Sequence, residues 1–118
     1  MRSILLTEDE FLIRAVMVET FTQAGINCFE APTGAAAMKI LESTQPLNAI
    51  VVDIGLPDMS GDEVIAAAHR LRPGIPIIRC SGDRGDPAAS PSVHFFDKPY
   101  LPVELCRFVV SLLDPKAA

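Results

Sequence analysis

The run Ala49-Ile50-Val51-Val52 is continuously apolar, largely β-branched, and ends abruptly at Asp53. A strand with one wet face alternates apolar and polar residues, whereas an unbroken apolar run of this kind marks a strand buried on both faces. Such a strand needs helices above and below its sheet, the layering of a parallel α/β domain. The preceding sequence supplies two strand–helix units. Ile4-Leu5-Leu6 stops at Thr7-Glu8-Asp9-Glu10, and the segment to Ala24 places Leu12, Val16 and Met17 at helical spacing. Gly25 ends that helix, Ile26–Ala31 reads as a second strand, and Thr33 caps a helix through Met38, Ile40 and Leu41.

Beyond Asp53, Ser60 followed by Glu63 forms a capping-box pattern that opens a helix through Val64, Ile65 and Leu71, and Pro73-Gly74 terminates it. Pro76 to Cys80 predicts a fourth strand and Val93 to Phe96 a fifth. Pro102 suits the first turn of a final helix that turns Val103, Leu105, Cys106, Val109, Val110 and Leu113 inward. Between these strands, Gly82 to Ser92 contains two Pro, two Gly and no apolar period, so the helix due there is expected to be short, irregular or missing. The alternation predicts one domain over 1–118, a doubly wound, five-stranded parallel sheet with right-handed crossovers, and a frayed tail from Asp114 to Ala118.

A net charge of −5, with Lys and Arg never clustered, argues against a phosphate-backbone binder, so no direct nucleic-acid contact is expected. An apolar content of 49% and the lack of low-complexity tracts argue against disorder. The apolar runs are too short to span a bilayer, and Met1-Arg2-Ser3-Ile4 leads directly into a strand, so no membrane segment and a cytoplasmic location are expected. Cys28, Cys80 and Cys106, odd in number and widely spaced, fit neither a disulfide framework nor a zinc site and read as buried, inert thiols. His69 and His94 lie in a predicted helix and strand and are assigned structural roles.

In open parallel sheets the ligand site lies beyond the carboxyl ends of the strands. Glu8 and Asp9 end strand one, Asp53 ends strand three, Ser81 follows strand four and Lys98 follows strand five. Three gathered carboxylates repel, by about 4 kcal/mol for a pair 4 Å apart at an effective dielectric near 20, and so call for a cation. Oxygen-only donors favour Mg²⁺ or Mn²⁺ over zinc, and Mg²⁺ adds phosphate oxygens readily. In that setting Asp53 can attack phosphorus and form an acyl phosphate, with Lys98 neutralising the phosphoryl oxygens and Ser81 donating to them. Gly82 serves either as a turn residue or to admit the phosphate close to the backbone.

The acidic pair within Ile4 to Glu10, the segment Val51-Val52-Asp53-Ile54-Gly55-Leu56-Pro57-Asp58-Met59-Ser60-Gly61, Cys80-Ser81-Gly82 and Phe96-Asp97-Lys98-Pro99, in this order and spacing, resemble the receiver domain of bacterial response regulators. The resemblance implies the strand order 2-1-3-4-5 and phosphorylation of Asp53 by a histidine kinase or histidine phosphotransfer protein. It further implies Mg²⁺ held by Glu8, Asp9, Asp53 and the Gly55 carbonyl, and Lys98 paired with the phosphate. Ser81 would act as a switch residue with Phe95, which is otherwise an ordinary core aromatic. A cis Lys98–Pro99 bond is also implied, and Gly55 and Asp83 stand where the family tunes the lifetime of the acyl phosphate. The product is a signalling switch, not an enzyme in its own right, that alters binding to a downstream protein partner. The sequence fits a stand-alone receiver and one excised from a hybrid kinase equally, and it leaves a homodimer open. Three other readings compete: a Mg²⁺-dependent aspartyl-phosphate phosphohydrolase, a flavodoxin-like nucleotide or flavin binder lacking a Gly-rich first loop, and a pseudo-receiver acting only through protein contacts.

Overall fold

A computed structural model describes residues 2–82 and 92–114. In chain order these form β1 (Arg2–Thr7), α1 (Phe11–Gln23), β2 (Ile26–Ala31), α2 (Gly34–Glu42), β3 (Ala49–Asp53), α3 (Gly61–Leu71), β4 (Ile77–Ser81), β5 (Val93–Asp97) and α4 (Pro102–Leu113). All five strands are parallel and lie in the order β2-β1-β3-β4-β5, the flavodoxin-like order implied by the resemblance. The expectation about a helix between Gly82 and Ser92 falls largely on 83–91, outside the described residues.

Strand alternation divides the interior in two. Leu5, Ile50, Val52, Ile77 and Val93 pack on one face against Ala37 and Leu41 of α2 and Val64, Ile65 and Ala68 of α3. Ile4, Leu6, Ala49, Val51, Ile78 and Cys80 pack on the other against Met17 and Phe21 of α1 and Leu105, Cys106 and Val109 of α4. Every residue of β3 is buried, as its apolar run requires, while the edge strand β2 is buried only at its ends.

The helix ends follow their sequence signals. Thr33 accepts from the Ala36 N–H, and Ser60 and Glu63 complete a reciprocal capping box. Gly25 takes a φ of 80° where α1 turns into β2, a left-handed conformation that suits glycine.

One expectation about inward faces needs correction, and the apolar spacing of α1 divides into a buried and an exposed part. Met17 is buried, but Leu12 and Val16 on the same helix are 76% and 49% exposed, and the face that α1 buries is set by Met17 and Phe21. Val103, expected to face inward, is exposed, because the face that α4 buries is set by Leu105, Cys106 and Val109. Four helices lie among the described residues, and none is long and apolar enough to cross a membrane.

Candidate functional site

The register of the sheet brings the carboxyl ends of β1, β3, β4 and β5 to one edge. Thr7 pairs with Val52, Asp53 with Cys80, and Ser81 with Asp97, so the residues just beyond these strands become neighbours. The Glu8 N–H donates to the Ala31 carbonyl at 3.0 Å and carries the β1 pairing one residue further. Arg14 of α1 holds the turn from the outside. Its guanidinium donates to the Glu8 carbonyl at 3.0 Å and to Glu30 at 3.1 Å.

Glu8, Asp9 and Asp53 each bring a carboxylate oxygen within 4.8 Å of the others. Glu8 and Asp53 are only 2% and 7% exposed, so their charges are poorly screened by water, while Asp9 lies nearer the surface. Lys98 reaches in from the loop after β5, its Nζ 2.6 Å from Asp53 Oδ1. The Gly55 N–H donates to the same oxygen at 3.3 Å. Ser81 closes β4, and its carbonyl accepts from the Lys98 N–H at 3.0 Å, which ties the lysine-bearing loop to the strand end.

Burial first, and then the contact with Asp53, pushes the Glu8 carboxyl up to about 8. Burial opposes ionisation of Asp53 too, but hydrogen bonds from Glu8, Lys98 and the Gly55 N–H outweigh it and hold this carboxyl below its ordinary range. Two buried carboxyls in contact thus share a proton, or else a cation replaces it. Glu8 Oε2 is buried and has no hydrogen-bond partner among the described residues. An orphaned carboxylate oxygen beside two others, with no nitrogen or sulfur donor in the cluster, fits a hard divalent cation such as Mg²⁺.

Phe95 lies half-buried on β5, against the α2–α3 side of the interior, with the Arg79 guanidinium 5.7 Å from its ring centroid. Arg79 makes a two-pronged ion pair with Asp62 at 2.9 and 3.2 Å. His94, half-buried on β5, packs edge-on against the half-buried Phe108 of α4, with ring centroids 5.7 Å apart. Burial pushes the thiols of Cys28 and Cys80 up to about 12, far from reactive thiolates. The Lys98–Pro99 bond is cis, as the resemblance implied. Asp83 lies outside the described residues.

Residues 4–105 match the model of the response regulator receiver domain. The chain belongs to the response regulator receiver family. Among curated receivers, the response regulator receiver protein CpdR of Brucella abortus is 30% identical over 82 residues, which span 70% of this chain and 68% of CpdR. A CheY-like receiver from Methanospirillum hungatei superposes with a TM-score of 0.82 at 26% identity, over 99% of this chain and 97% of that one. The receiver of the Pseudomonas aeruginosa sensor kinase PA1611, solved with magnesium in its cleft, shares the fold at 22% identity with a TM-score of 0.79, over 95% of this chain and 97% of that one. The chain spans only about a tenth of the length of the sensor kinases among its curated relatives.

Three residues that shape this receiver site escaped the sequence reading. Arg79 had a signal, a charge inside an otherwise apolar strand, which demands an opposite charge within reach. Arg14 had none, because its partners, the Glu8 carbonyl and the Glu30 side chain, are brought near only by the fold, and Asp58 had none, because it accepts from the Gly34 and Ala35 N–H groups at the start of α2.

Proposed function

We propose that this receiver takes a phosphoryl group onto Asp53 from a phosphohistidine, carried by a histidine kinase or phosphotransfer protein, with Mg²⁺ held by Glu8, Asp9, Asp53 and the Gly55 carbonyl. The observation that carries the reading is the convergence of three carboxylates within 4.8 Å with Lys98 Nζ 2.6 Å from Asp53. When bound, Mg²⁺ supplies neutralisation of the anionic oxygens of the incoming phosphoryl group.

The chain's own residues do the rest. A carboxylate oxygen of Asp53 forms the new O–P bond while the donor's P–N bond breaks, and that electron pair stays on the imidazole nitrogen. Its depressed pKa keeps Asp53 ionised at neutral pH, ready as a nucleophile. Lys98 leaves its carboxylate partner to pair with the phosphoryl oxygens, and Ser81 donates to them from the adjacent strand. A phosphohydrolase would need an acid/base beside the leaving group, and Gly55, two residues after Asp53, offers none.

A protein donor is supported by the surface around the site. A cleft of about 590 Å³ opens between α1 and the loop after β5, with Glu8 and Lys98 among its lining and Leu12, Ile13, Val16 and Tyr100 along its walls. Leu12, Ile13 and Val16 are exposed there, an apolar surface suited to a helical donor domain and of little use to a small ion. Phosphorylation then shifts a two-state equilibrium involving Ser81 and Phe95 and alters the surface offered to a downstream protein. A cytoplasmic setting accords with an ATP-fed donor.

Calorimetric titration with Mg²⁺ tests the site. One Mg²⁺ bound per chain, lost in Glu8→Gln and in Asp53→Asn, is the expected result, and no binding by the wild-type chain would overturn it.

A further inference from the structure

The turn that joins β3 to α3 carries Gly55 and is fastened at two places. At its neck the Gly61 N–H donates to the Ile54 carbonyl at 3.3 Å. A Cβ on Gly61 would lie 2.7 Å from Ile54 Cα and 2.8 Å from the Asp53 carbonyl oxygen, so only glycine lets the chain close this tightly. At its tip Asp58 reaches a different helix. Its Oδ1 accepts from the Gly34 N–H at 2.8 Å and its Oδ2 from the Ala35 N–H at 2.9 Å. Beside it the Met59 side chain fills the space that a Cβ on Gly34 would occupy.

Helix α2 already has its own cap, since Thr33 Oγ1 accepts from the Ala36 N–H at 3.1 Å. Asp58 takes the two first-turn amides that Thr33 leaves, so one exposed carboxylate satisfies two orphan donors and meets the positive end of the helix dipole. Those bonds hold its carboxyl below the ordinary range. The consequence falls on the turn as well as on the helix. Gly55 lies between neck and tip, and its N–H is the backbone donor to Asp53 Oδ1.

We propose that Asp58 is a positioning residue of the acidic site: by clamping the β3–α3 turn to the N-terminus of α2, with Met59 seated on Gly34, it holds the Gly55 backbone against Asp53 before any ligand arrives. This rests on the reading of the site as a Mg²⁺ and phosphoryl site only for its functional consequence. A site whose supporting contacts are lost keeps its ligands but presents them loosely, and binding then has to order them.

The test compares Asp58→Ala and Gly34→Ala, which release the tip in two independent ways, with Thr33→Ala, which weakens the same helix end but leaves the clamp intact. Two quantities are read: Mg²⁺ affinity by calorimetry, and amide hydrogen exchange at Gly55 in EDTA. Asp58→Ala and Gly34→Ala are expected to weaken Mg²⁺ binding about tenfold, the lower end of the range for outer-sphere partners of metal ligands, and to speed exchange at Gly55. Thr33→Ala is expected to lower the melting temperature and leave both readouts at wild-type values. Asp58→Asn, which keeps one acceptor oxygen, should fall between wild type and Asp58→Ala. Wild-type Mg²⁺ affinity and wild-type Gly55 exchange in Asp58→Ala would overturn the proposal and reduce Asp58 to a helix cap. Failure of the wild-type chain to bind Mg²⁺ would instead contradict the metal reading, and Gly55 exchange would still decide the role of Asp58.

Discussion

Lys98 Nζ sits 2.6 Å from Asp53 Oδ1, so the ammonium contacts the carboxylate proposed as the phosphoryl acceptor. Burial alone would lower the lysine's pKa, but Asp53, with a smaller contribution from Glu8, raises it above its ordinary value. The lysine is therefore a fixed positive charge beside a proposed cation site. Lys98→Ala is expected to tighten Mg²⁺ binding roughly three- to tenfold by removing that repulsion. The same variant should take phosphate from acetyl phosphate at least about tenfold more slowly, having lost the partner of the phosphoryl oxygens. Calorimetry and a labelling time course separate the two effects.

Glu8 gives the metal-free protein a characteristic pH dependence. Its carboxyl rises from an ordinary 4.5 to about 8 on folding, through burial and the contact with Asp53. Between those values the folded chain binds more protons than the unfolded chain, so stability falls as pH rises through this window. Asp53, Asp58 and Asp62 are shifted down and act at lower pH, losing their contributions as pH falls through their depressed values. Urea denaturation in EDTA at several pH values should show the decline, and saturating Mg²⁺ should abolish it by holding Glu8 ionised. Mg²⁺ affinity should rise with pH over the same window, with up to one proton released per ion.

Leu105 is fully buried between α4 and the sheet. Leu105→Ala should cost about 2–5 kcal/mol, because the surrounding side chains can only partly fill the space. Ser60→Ala removes one half of the α3 capping box and should cost about 1 kcal/mol. Chemical denaturation of the two variants checks the order.

Leu12 is 76% exposed, yet it borders the cleft that contains Glu8 and Lys98. Leu12→Ser should leave the melting temperature nearly unchanged and phosphorylation by acetyl phosphate unaltered. Transfer from a phosphorylated histidine donor protein should slow by about tenfold, the scale of one well-buried interface leucine. A wild-type rate of transfer from the histidine donor to Leu12→Ser would remove α1 from the docking surface.

The sheet was legible because its evidence is local. The apolar run before Asp53, the glycine after α1 and the Ser60–Glu63 box each act within a few residues of themselves, and each stands in the structure where the sequence places it. The site was legible for a related reason: a strand end has one place to go in a parallel sheet, so Glu8, Asp53 and Lys98 had to converge. The outward face of α1 was not legible, since Leu12, Val16 and Met17 share helical spacing and periodicity alone does not show which apolar residues meet the sheet. Asp58 was invisible for a different reason. Its partners are backbone amides 24 and 23 residues away, and a backbone amide leaves no trace in the side-chain pattern.

Intact-mass measurement after incubation with acetyl phosphate, in Mg²⁺ and in EDTA, decides whether Asp53 is a Mg²⁺-dependent phosphoryl acceptor. The mass of one phosphoryl group is expected to be added to the wild-type chain in Mg²⁺, with none in EDTA and none in Asp53→Asn under either condition. An adduct of the same mass on Asp53→Asn, or equal labelling of the wild-type chain in EDTA, would contradict it.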